Sequence, residues 1–213
     1  MTAALGSSLR GAIDALSEPG ILIGCREISE GDERALMPPE EPAFASSVMK
    51  VRRASGAARL VARELLAQIG IVGCALPKSE TGAPVWPAGV VGSLSHDPRV
   101  AVAAIAKCRD FAALGIDVEP AEALPSEIVD MVVRPEERAE IGDDLRRARL
   151  LFAAKEAVYK AVHPLDREFL DHHDVEVSVA HRQATVRNGR RLELRFSISD
   201  HLLVLAFLRA GHV

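Results

Sequence analysis

The feature that most constrains this chain is the short run Leu114-Gly115-Ile116-Asp117-Val118-Glu119, closed by Pro120. Apolar and acidic residues alternate with the period of a strand, so Ile116 and Val118 face one way and Asp117 and Glu119 the other. The apolar face requires a core. The acidic face carries two like charges side by side, which repel unless a cation lies on them. That cation is a basic side chain or a metal ion, and the strand alone leaves both open.

The rest of the chain can supply the core. Of 213 residues 48% are hydrophobic but only 4% are aromatic, which predicts an aliphatic, alanine-rich interior in one large or two small domains. A net charge of -4 excludes a general nucleic-acid binder. Cys25, Cys74 and Cys108 form no C-x-x-C pair and read as thiols in a reducing compartment. No apolar run reaches the roughly 18 residues of a membrane span, and the first residues lack a secretory pattern. The expectation is a cytoplasmic protein that neither enters a membrane nor binds nucleic acid.

Hydrophobic periodicity predicts an amphipathic segment over Leu9–Leu16, a strand over Ile21–Cys25 and a long helix over Ala45–Ile69. Arg52, Arg59 and Arg63 share one face of that helix. Gly56 lies on the same stripe and leaves room for something to approach. Taken alone, an ordinary solvated basic face is the better explanation of these arginines. Strands follow at Val90–His96 and Val100–Lys107, joined by a turn at Asp97-Pro98. Short helices are expected over Ser126–Val133 and Pro135–Ile141. A third helix, capped by Asp143 or Asp144, runs to about Val162 and ends at Pro164. The tail reads as antiparallel strands at Val175–Val179, Gln183–Val186, Arg191–Ser197 and Leu202–Leu208, with Asn188-Gly189 as a hairpin turn. Each half thus has strands and one long helix. This predicts an α+β (α/β) fold of two similar αβ halves in pseudo-twofold arrangement, residues 1–112 and 113–213.

The third helix contains Phe152-Ala153-Ala154-Lys155-Glu156-Ala157-Val158-Tyr159-Lys160. Glu156 and Lys160 are four apart, the spacing of an ordinary helix-stabilising ion pair worth roughly 0.2–0.5 kcal/mol. The apolar residues around them predict a mostly buried helix, where charges need partners. If the acidic strand packs on this helix, Glu156 joins Asp117 and Glu119. Three carboxylates around one point suit Mg²⁺, and lysines beside them suit a phosphate.

These residues carry a resemblance. Trp86-Pro87-Ala88-Gly89-Val90-Val91-Gly92-Ser93-Leu94-Ser95-His96, then Gly115 to Glu119, then Phe152 to Lys160, resemble in order and spacing the motifs of the 4′-phosphopantetheinyl transferases. The likeness is greatest to the bacterial group of siderophore and polyketide synthesis, similar to the enterobactin synthetase component D type. The resemblance implies Mg²⁺-dependent transfer of the phosphopantetheine arm of coenzyme A to a serine of an apo acyl or peptidyl carrier protein, with release of adenosine 3′,5′-bisphosphate. It implies metal ligation by Asp117, Glu119 and Glu156. It puts Lys155 and Lys160 on the pyrophosphate, with Glu156, Lys155 and Lys160 the catalytic groups. Ser95, His96, Lys78, Arg59 and, more loosely, Arg52 become coenzyme contacts. It also implies a monomer with the active site between the halves. Where many relatives have cysteine after the histidine this chain has Asp97, and Ala54-Ser55 replaces an acidic-aromatic pair. Asp97 beside a phosphate would be unfavourable, so it is expected to point away or to bond a backbone N–H. Arg134, Arg138, Arg146, Arg147 and Arg149 read as a basic patch for an acidic carrier or as solvated helix ends. A non-catalytic coenzyme A-binding protein and a metal-dependent phosphohydrolase remain the competing readings.

Overall fold

A computed structural model describes residues 2–211, with side chains from Leu9 onward. Helix α1 spans Thr2–Ala15 and strand β1 Ile21–Glu27. Two short 3-10 turns lead to α2, Met49–Gln68. The hairpin β2 (Val90–His96) and β3 (Val100–Lys107) follows, then β4, Phe111–Pro120. Short helices α3 (Val129–Val132) and α4 (Pro135–Ile141) precede the long α5, Leu145–Asp166. Strands β5 (Val175–Ser178), β6 (Gln183–Val186), β7 (Arg191–Ile198) and β8 (His201–Arg209) end the fold.

The strands make two antiparallel sheets, ordered β1-β3-β2 and β4-β8-β7-β6-β5. Strand β3 shows why they stay together. Ala103 and Ile105 pack with Val61, Leu65 and Leu66 of α2. The alternate residues Val100, Val102, Ala104 and Ala106 pack with Ile116 and Val118 of β4 and with Leu203, Leu205 and Phe207 of β8. A strand buried on both faces reads as a continuous apolar run, as this one does. The parity predicted for β4 holds: Ile116 and Val118 enter this shared core, which leaves Asp117 and Glu119 on the α5 side.

Gly115 fixes how closely α5 lies on β4. A Cβ there would stand 1.9 Å from the carbonyl oxygen of Ala157. Strand and helix therefore touch backbone to backbone, which brings the polar stripe of α5 over the acids. Gly115→Ala is expected to cost about 3 kcal/mol, because the atom blocking the new methyl is backbone and must move. Urea unfolding of the two proteins measures it.

Three expectations are corrected. The space at Gly56 is taken by the chain itself, since a Cβ there would meet the carbonyl oxygen of Asp32 at 2.0 Å. Helix α2 begins at Met49, because Glu41–Phe44 forms a separate 3-10 turn. Helix α5 runs past Pro164 to Asp166, and Arg167 ends it in the left-handed region at φ 55°. Pro164 forfeits one backbone bond in the last turn, where the loss interrupts little. Asp144 is the cap, accepting from the N–H groups of Arg146 and Arg147.

Candidate active site

The seam between the sheets collects the charges. Asp117 is buried, and its Oδ1 accepts from Lys160 Nζ at 2.6 Å and from Ser95 Oγ at 2.8 Å. Lys160 Nζ also donates to Ser95 Oγ at 2.9 Å. Residues from β2, β4 and α5 thus meet at one point. Burial holds the Asp117 carboxyl above its ordinary range against the pull of Lys160, and Glu156 adds to the upward shift. Its second oxygen, Oδ2, is buried and has no hydrogen-bond partner among the described residues.

Glu119, two residues on, pairs with Arg149 Nη1 at 2.9 Å. Burial, then the charge of Asp117, pushes its carboxyl up to about 7 in spite of Arg149. Glu156 Oε1 lies 3.2 Å from His172 Nε2, and this contact holds Glu156 below the usual carboxylate range. Each acid therefore has its own basic partner: Asp117 has Lys160, Glu119 has Arg149 and Glu156 has His172. With the side chains so turned, no group of three or more His, Cys, Asp or Glu residues among the described residues could hold a metal ion. The three still feel one another, as the shifts at Asp117 and Glu119 show.

The donor set nonetheless fits a hard divalent cation. It is all oxygen, and a buried carboxylate oxygen without a donor is costly until something positive meets it. Asp117 Oδ2 is such an atom.

Beside the acids opens a cavity of about 620 Å³, lined by Lys50, Val51, Arg53 and Ala54 of α2, by His96 of β2 and by Glu119 and Pro120 of β4. Desolvation, and next the charge of Lys160, push the His96 imidazole down.

Two of the residues read as ligand contacts are occupied elsewhere. Lys155 is buried against Glu137 Oε2 at 2.7 Å and the carbonyl of Val132 at 2.7 Å. Helix geometry explains why it does not reach the strand. At 100° per residue, Lys155 lies about 100° from Glu156 and about 140° from Lys160. Arg59 is buried too, donating to the carbonyls of Leu76 and Ser55, with Glu40 at 3.7 Å. Arg63 takes the same Glu40 at 2.9 Å. The arginine stripe of α2 thus holds down the chain's own segment around Glu40. Arg52 donates to the Phe44 carbonyl, and the Phe44 ring lies against Lys78 at 4.5 Å and Arg59 at 4.8 Å.

Arg149 and His172 were not read as site residues. Arg149 had a signal, since it stands seven before Glu156 and eleven before Lys160 and so shares their stripe. It pairs with Glu119 of the acidic strand. His172 had none, because a loop of unknown path separates it from α5. Asp97 behaves as expected: its Oδ1 accepts from the N–H groups of Arg99 and Val100 at 2.6 and 2.7 Å.

The fold and the seam define a two-sheet α+β protein with coupled acids and a lysine between its halves. Residues 39–106 match the 4′-phosphopantetheinyl transferase N-terminal domain, and residues 113–207 match the 4′-phosphopantetheinyl transferase superfamily. The chain is 41% identical over 155 residues to the 4′-phosphopantetheinyl transferase Npt of Nocardia iowensis, covering 71% of this chain and 70% of that one. It is 37% identical over 200 residues to the 4′-phosphopantetheinyl transferase Svp of Streptomyces mobaraensis, covering 84% and 81%. A further match, 32% over 106 residues, is enterobactin synthase component D of Escherichia coli, covering 46% and 50%. The chain belongs to the 4′-phosphopantetheinyl transferase family and is a transferase. No helix among the described residues is long and apolar enough to cross a membrane.

Proposed function

We propose that this protein transfers the 4′-phosphopantetheine arm of coenzyme A to a serine of an apo acyl or peptidyl carrier protein, with Mg²⁺, as a cytoplasmic monomer. The observation that carries the reading is the junction of Lys160, Ser95 and Asp117 beside the unpartnered Asp117 Oδ2. Both walls of the cleft come from one chain, so one copy suffices.

The cavity beside His96, with Lys50 and Arg53 on its wall, receives the nucleotide end of the coenzyme. Lys78 and Arg52, on either side of Phe44, extend that basic rim. Lys160 leaves Asp117 to meet the diphosphate, a more negative partner. Asp117, Glu119 and Glu156 would hold Mg²⁺, which when bound offsets charge growing on the leaving oxygen. The carrier serine oxygen bonds to the pantetheine-side phosphorus while the bridging P–O bond breaks. Adenosine 3′,5′-bisphosphate departs. Glu156, held ionised by His172, takes the serine proton, and His172 stands behind it to share that proton. Arg59 and Lys155 act on the fold.

One assay tests this: purified protein, coenzyme A, Mg²⁺ and a panel of apo carrier proteins, following carrier mass and free bisphosphate together. The expected result is a phosphopantetheine mass gain with one bisphosphate per carrier. Bisphosphate without mass gain would make the protein a hydrolase. Binding of coenzyme A with neither product would leave a non-catalytic binder.

The Glu119 carboxyl adds a pH signature. A metal ligand must be ionised, so a group titrating at about 7 makes Mg²⁺ binding release protons. Apparent Mg²⁺ affinity should rise up to about tenfold per pH unit below 7 and level off above it. For the metal-free protein the sign is opposite. A raised carboxyl favours the folded state while protonated, so that contribution is lost as pH climbs from the ordinary carboxylate range through about 7. Calorimetry in two buffers of different ionisation heat reads the proton release; none at pH 6.5 would remove Glu119 from the ligands.

A further inference from the structure

We propose that Asp97 and His201 form a clamp between the two halves that positions the Ser95-His96 end of β2 for coenzyme binding, a role that rests on the transferase reading above. The two side chains are almost wholly enclosed, at 2% exposure each, with His201 Nε2 3.1 Å from Asp97 Oδ2. They come from opposite sheets. Asp97 begins the turn between β2 and β3, and His201 is the first residue of β8.

Asp97 is fixed in that turn from three sides. Its N–H donates to the carbonyl of Val100, and its Oδ1 accepts from Arg99 and Val100. That leaves Oδ2 facing His201 Nε2 at 3.1 Å as a close polar contact; among the described residues no hydrogen bond to Oδ2 or to His201 Nδ1 is formed. His201 is fixed in turn by the ladder, where it stands opposite Pro120. The pair therefore ties the residue after His96 to the residue after Glu119. It closes the end of the His96 cavity, which Asp97 and Pro120 line. On its other side lies a separate cavity of about 570 Å³, lined by Arg99, Glu122, Asp200 and His201.

Enclosing a carboxylate and an imidazole where an apolar pair would pack needs a reason, since burying polar groups is costly. Position supplies one. The backbone of β2 meets β4 beside the acids without pairing to it, so no ladder fixes His96 relative to Glu119. The Ser95–Asp117 hydrogen bond holds the residue before His96 to β4, and the clamp holds the residue after it to β8, the ladder partner of β4.

His201→Ala should raise the KM for coenzyme A roughly 10- to 100-fold, the scale of a misplacement of about 1 Å at a binding group, with kcat and the KM for carrier protein within about twofold. His201→Gln, which still offers Asp97 a donor, should recover most of the loss. A purely structural pair would lower Tm and leave the coenzyme KM of the folded fraction unchanged, and that result overturns the proposal. So does a parallel rise in both KM values. If His201→Ala does not fold, Asp97→Asn carries the test: it keeps the turn acceptor, alters the oxygen facing His201, and must raise the coenzyme KM. Wild-type protein without transfer activity would instead count against the transferase reading itself.

Discussion

Asp117→Asn lowers carrier modification by at least about 10²–10³-fold while Tm stays level or rises. The substitution keeps an oxygen for Lys160 and Ser95 and replaces the unpartnered Oδ2 with an amide. It removes the charge that burial disfavours and that raises Glu119. The folded protein therefore loses a liability along with its function. Lys160 keeps a negative neighbour, since Glu156 and Glu119 both feel its charge. A second readout checks the electrostatics: the Glu119 carboxyl should titrate below its value of about 7 once Asp117 is neutral. Transfer within tenfold of wild type would take Asp117 out of the reaction. A fall in Tm of several degrees would mean that the seam is held by Asp117 and not strained by it.

Much of this arrangement was legible because local pattern determined it. Strands β2, β3 and β6 lie where alternation and turn residues put them, at Val90–His96, Val100–Lys107 and Gln183–Val186. The split of β4 into an apolar and an acidic face follows from its period of two. What could not be read was which face a charge turns to when the partner is distant in sequence. Arg59 and Arg63 look like a ligand surface until Glu40, far upstream of Arg63, is seen to occupy them. Gly56 looks like an opening until Asp32 fills it. In both cases periodicity announced a close approach correctly and was silent about what approaches.

The question posed by Asp117 and Glu119, metal or basic side chain, also has a physical answer. The structure places a basic side chain on each acid of the seam. Only the Asp117 lysine is shared with a hydroxyl from the other half. A lysine on a flexible stem can leave for a diphosphate at little cost, whereas Arg149, which also donates to the Ala123 carbonyl, is anchored. The seam thus combines one movable cation, Lys160, with an anchored one, Arg149. On the proposed reaction, that asymmetry favours Lys160 over Arg149 as the group that follows the diphosphate.

Lys155→Met costs about 3–5 kcal/mol of stability, because Glu137 is left buried with its charge uncompensated. The site is fully enclosed, with side chains 1% and 2% exposed. Glu137 is the hub: its Oε1 accepts from the N–H of Val177, and its Oε2 accepts from the N–H of Arg134 as well as from Lys155. It thereby ties α4, β5 and α5 together behind the catalytic face. Adding Glu137→Gln to Lys155→Met should restore at least about half of the loss, since the amide removes the charge and keeps one acceptor for the backbone. Transfer per folded molecule in the double variant should stay within about threefold of wild type. Transfer per folded molecule separates two lysines that stand five apart on one helix: Lys160→Met should abolish it and also lower Tm, because Asp117 is left buried without its cation, whereas Lys155→Met should lower Tm and spare transfer. Were Lys155→Met to keep its Tm and lose turnover, the lysine would belong to the diphosphate, and α5 would have to rotate on β4 to deliver it. Gly115, packed backbone to backbone against Ala157, leaves no room for that rotation.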